Sequence, residues 1–129
     1  LDRINIHIEA PPVYYDELTS SAPEENSATI RARIEKVRAR QAARFGDTLR
    51  PALNARMQPR HMREFCQISA GCHALLKHAM EDLHLSARAH DRILKVSRTI
   101  ADLAEVESIS EDHLLEALQY RSLDRSVML

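Results

Sequence analysis

The sequence predicts an all-α domain of four or five helices from about residue 27 onward, preceded by a stranded tail. Three observations lead there. The 129 residues include only two Gly and no Trp, and are rich in Ala, Leu and Arg, a composition that favours helices. Apolar residues recur at helical spacing, most clearly Ala89, Ile93, Val96, Ile100 and Leu103. Serines at 27, 69, 86 and 110 stand just ahead of such runs, where a hydroxyl can accept from the free N–H groups of a first turn.

The elements follow in order. Ile4 to Ala10 alternates apolar and polar residues with a period of two, which predicts a strand ended by Pro11-Pro12. A single strand cannot satisfy its own backbone groups, so its sheet is expected upstream. Val13 to Ser27 reads as linker with one loose turn. With Ser27 as its cap, a helix is expected to about Arg44, stopped by Gly46. Its apolar line is Ile30, Ile34, Val37 and Phe45, with Gln41 among them.

Asp47 to Gln58 is expected to be irregular, and Pro59 suits the first turn of a short helix to about Gln67, burying Met62, Phe65 and Cys66. A further helix from Ser69 to about Asp82 carries Cys72 on one stripe with Ile68, Leu75, Ala79 and Leu83. The next opens at Ser86 and runs to Leu103. There Arg88, Arg92 and Lys95 fall together beside the apolar stripe. Arg88 sits in the first turn, where the helix dipole disfavours a cation. The last helix, from Glu111 to about Tyr120, is expected to bury Leu114, Leu115 and Leu118.

Charge is segregated although the net value is −1. Residues 1–26 hold six acids against Arg3 alone, residues 27–64 hold ten Lys or Arg against three acids, and residues 101–129 return to seven acids against two arginines. Such segregation creates local fields that net charge hides. Cys66 and Cys72 are six apart and read as small buried hydrophobes. His73 and His78, five apart, point to different sides of a helix, so no metal site is expected.

No apolar run reaches the length of a membrane span and no leader pattern is present, which makes the cytoplasm the expected location. A chain that opens on Leu1 rather than Met is expected to be a piece of a longer protein. It holds no Gly-x-x-x-x-Gly-Lys-Ser/Thr loop for phosphates and no apolar strand ending in paired acids for magnesium, so this piece alone is expected to hydrolyse nothing.

Ser86-Ala-Arg88 followed by an aliphatic-rich helix resembles the sensor-2 helix of AAA+ ATPases. The longer string from Leu85 to Leu103 resembles the C-terminal domain of the magnesium-chelatase-like (ComM/YifB-type) members. Leu1-Asp-Arg-Ile-Asn-Ile-His-Ile-Glu9, Leu53-Asn-Ala-Arg-Met57, Glu116-Ala-Leu and Tyr120-Arg-Ser-Leu-Asp-Arg125 agree with the same family, in consistent order. The resemblance implies a division into 1–26, the tail end of the AAA+ core with its last strand and linker, and 27–129, a C-terminal helical lid.

It also implies roles. Arg3 matches the arginine finger that one subunit offers in trans to its neighbour's nucleotide. Arg88 matches the sensor-2 arginine, acting in cis or in trans, with Arg92 and Lys95 as further nucleotide-binding candidates. ATP and magnesium are implied for the full-length parent, and none is expected in this piece alone. Expected partners are the upstream core and neighbouring subunits of a homo-oligomeric ring. The ComM type further implies DNA remodelling such as branch migration. Two other readings stay open: a nucleic-acid-binding helical module using the basic 31–63 segment, and a structural oligomerisation domain.

Overall fold

The computed structural model describes residues 5–8, 15, 19 and 24–121. Residues 24–121 hold five α-helices: α1 Ser27–Phe45, α2 Pro59–Phe65, α3 Ala70–Asp82, α4 Ala87–Leu103 and α5 Glu111–Gln119, with a 3₁₀ turn at Asn54–Arg56. Helix α4 is the central element and packs on α5, α1, α2 and the 3₁₀ turn.

The caps explain most of the boundaries. Ser69, Ser86 and Ser110 accept from the backbone N–H of Cys72, Ala89 and His113. Ser27 is not a cap. Asn26 takes that place, its Oδ1 accepting from Thr29 N at 2.8 Å, and Ser27 becomes the first helical residue. At the other end Gly46 has φ 51°, the left-handed geometry that suits glycine, and its N–H closes on Ala42 O.

The core gathers Phe45, Met57, Cys66, Cys72, Leu76, Ile93, Ala101, Ile109 and Leu114. Phe45 meets the rings of His61 and Phe65 edge to face. Both cysteines are buried and unbonded to each other. Outside α4, three expected core positions lie elsewhere. Ile30 and Ile34 are exposed because α1 turns toward the core only at Val37, Gln41 and Phe45. Leu115 is exposed because α5 buries Leu114 and Ala117.

Helix α4 is rotated from its expected setting. It buries Ala89, Ile93, Leu94, Ser97, Arg98, Ala101 and Asp102, whereas Val96 and Ile100 are half-buried and Leu103 is exposed. The offset is about 100°, one residue's turn. A polar cluster draws the helix round. Arg44 Nη1 and Nη2 donate to Asp102 Oδ2 and Oδ1 at 2.9 and 2.5 Å, and Asn54 Nδ2 donates to Asp102 Oδ2 at 2.8 Å. Gln41 Oε1 accepts from Asn54 N at 2.9 Å. Arg98 donates to the carbonyls of Phe65, Glu107 and Val106.

The alternating tail is described only over residues 5–8. Where the alternation predicts a strand, residues 5–8 carry none, because a lone segment has no sheet to pair with, and the His7 N–H donates instead to Tyr120 O at 2.6 Å.

Candidate functional site

On the side of α4 away from the core lies an open groove of about 810 Å³. Since α4 buries the face centred on Ser97 and Ala101, the opposite face must carry Arg88, Arg92, Lys95 and Thr99. All four line the groove. Its floor is apolar, made by Val96, Ile100 and Leu103 of α4, with Ile6 and Ile8 of the tail alongside.

The three predicted cations therefore share one wall, and α1 adds a fourth, Arg33. Two carboxylates, Asp91 and Glu116, also line the groove. Four cations against two carboxylates leave it positive.

The cations differ in how they are held. Lys95 Nζ donates to Ala55 O at 3.4 Å, so the 3₁₀ turn holds it lightly. Arg92 Nη1 donates to Asn5 Oδ1, which ties the tail to the groove wall. Arg33 is ion-paired with Glu25. Arg88 is exposed and makes no hydrogen bond or ion pair among the described residues. Its place is fixed all the same, because Ser86 caps the turn and Ala89, fully buried, pins the next residue. The result is a permanently charged, five-donor group on a rigid base, suited to carboxylate or phosphate oxygens.

Residues 24–121 match the family described as magnesium chelatase, subunit ChlI C-terminal. The chain belongs to that family. It is 38% identical over 126 residues, 97% of its length, to the competence protein ComM of Haemophilus influenzae. Over the same length it is 36% identical to the uncharacterized protein YifB of Escherichia coli K12 and, equally, to that of Salmonella typhimurium. The chain spans 24% of the length of each of these relatives.

Within this magnesium-chelatase C-terminal domain, Arg88, Arg92 and Lys95 are brought together, while Arg3 lies outside the described residues. Sequence reasoning missed Arg33 as a groove residue, since it belongs to a helix 55 positions before Arg88. It also missed the polar cluster that supports the groove from behind. The available signal was the Arg98–Asp102 spacing of four, which the structure realises as an ion pair of 3.4 Å. Burial raises the Cys66 thiol to about 11, against the lowering influence of Arg98 and Arg44, so it is an inert core thiol. No helix among the described residues is long and apolar enough to cross a membrane.

Proposed function

We propose that this chain is the C-terminal lid of a magnesium-chelatase-like AAA+ ATPase, and that its groove meets ATP held chiefly by the upstream core. One observation carries the reading. Arg88 stands exposed and unpartnered among the described residues in the first turn of α4, beside Arg92 and Lys95. A cation there opposes the helix dipole, at a cost of a few tenths of a kcal/mol or more. An anion at the same helix end is favoured by the dipole and by the guanidinium together. Phosphate oxygens resolve the conflict that the free domain leaves standing.

The chain's own contribution is to position charge. Arg88 would fork onto terminal phosphate oxygens, and Lys95 and Arg92 would hold neighbouring negative charge along the wall. Arg3, as a finger reaching the neighbouring subunit's nucleotide, would stabilise charge spread over the transferring group. When the terminal phosphate leaves, the partner of Arg88 goes with it, and the lid is released to move. Assembly into a homo-oligomeric ring and work on DNA, such as branch migration, belong to the same reading and rest on the family resemblance.

The test is deletion of residues 27–129 from the whole protein. Turnover should fall by at least about tenfold. Turnover that survives the deletion would show that this domain is no part of the ATPase.

A further inference from the structure

Away from the groove, two exposed faces of opposite charge remain. The first is the outer side of α1, formed by Ile30, Arg31, Ile34, Glu35 and Arg38 of that helix alone. Ile30 and Ile34 are 41% and 46% exposed. Helix α1 carries six cations against Glu35, and three of them, Arg31, Lys36 and Arg38, have no hydrogen bond or ion pair among the described residues. The second is the outer side of α5, where Leu115 is 44% exposed and Glu111 lies one turn before it, beside Asp112. No Lys or Arg stands between Leu103 and Gln119 to offset Glu111 and Asp112, whereas Glu107 pairs with Arg40 and Glu116 lines the groove.

We infer that these two faces dock on one another between copies of this chain, α1 of one copy against α5 of the next. Each face puts one or two bare aliphatic side chains among charges of a single prevailing sign. Pairing α1 with α1 would bring Arg31 and Arg38 against their own kind, and pairing α5 with α5 would do the same for Glu111 and Asp112. Only the unlike pairing buries Ile30, Ile34 and Leu115 together while matching charge, and like-charge contacts are strongly penalised.

Because the two faces are different patches of one chain, the contact is heterologous. Each docked pair keeps one α1 face and one α5 face free, so the arrangement continues into a ring or a filament. Three aliphatic side chains make a patch below the size of a stable interface. The contact is therefore weak in the free domain and gains strength where copies are held side by side, at an effective concentration in the millimolar range. The inference uses no nucleotide and does not depend on the role of Arg88.

Sedimentation of the chain across a series up to about 1 mM tests it. Association should continue past the dimer and weaken as salt is added. The double substitutions R31E/R38E and E111K/D112K should each abolish self-association, and mixing the two variants should restore it. Lysines in the first turn of α5 oppose its dipole, so Leu115→Ser and Ile34→Ser serve as probes that leave that turn intact. Each should weaken association at least about tenfold. A monomer throughout, association that stops at a dimer, a charge-swapped mixture that stays monomeric, or full association in both serine variants would overturn the inference.

Discussion

Arg44 and Asp102 are 58 positions apart and form a two-pronged ion pair, with donor–acceptor distances of 2.9 and 2.5 Å. The carboxylate is fully buried and the guanidinium nearly so. Asn54 and Arg98 share the same carboxylate, so α1, the 3₁₀ turn and α4 are fastened at one point. That fastening sets the rotation of α4, and thereby decides which residues face the groove.

Removing the hub should unsettle the fold. Asp102→Ala leaves two arginine side chains, one buried and one nearly so, without their counter-charge, and a loss of about 3–5 kcal/mol is expected. Urea unfolding of the variant beside the parent chain measures it. A loss below about 1 kcal/mol would mean the cluster is incidental.

Acid should act through the same group. Burial alone would raise the Asp102 carboxyl, but hydrogen bonds from Arg44 and Asn54 and the charges of Arg44 and Arg98 outweigh it and hold the carboxyl below its ordinary range. The folded value is thus the lower one. Stability from this group is present above the unfolded value of about 3.9 and is lost as pH falls from there through the folded value. Unfolding free energy measured across that acid window should drop less steeply in Asp102→Asn than in the parent chain.

The outer side of α1 and the buried face of α4 should respond differently to truncation. Ile34→Ala removes an exposed side chain and should change stability by no more than about 0.5 kcal/mol. Ile93→Ala, in the core of α4, should cost about 2–5 kcal/mol. Comparable losses at both positions would contradict the placement of α1.

Much of this architecture was legible before the structure. Ser69, Ser86 and Ser110 announce their helices because a cap is a local hydrogen bond, and Pro59 and Gly46 punctuate for equally local reasons. The grouping of Arg88, Arg92 and Lys95 follows from helical spacing alone. What was hidden is long-range. Nothing near Asp102 says that it meets Arg44, so the apolar stripe Ala89/Ile93/Val96/Ile100/Leu103 looked like the buried face. The polar cluster rotates the true face by one residue and turns Val96, Ile100 and Leu103 toward the groove. Exposure of Ile30 and Ile34 was likewise invisible, since their spacing is that of a core stripe.

The proposed role of Arg88 is tested most directly by one paired measurement on Arg88→Ala: the melting temperature of this domain and the ATPase rate of the whole protein. Arg88 is exposed, lies off the buried face of α4 and has no partner among the described residues. Its loss opens no cavity and relieves a clash with the helix dipole. The account predicts an unchanged or slightly raised melting temperature together with turnover lowered by about 10²–10³-fold, the loss typical of removing a donor to developing negative charge. An Arg88→Ala domain that unfolds, or a whole protein that turns over ATP at the parent rate, would contradict it.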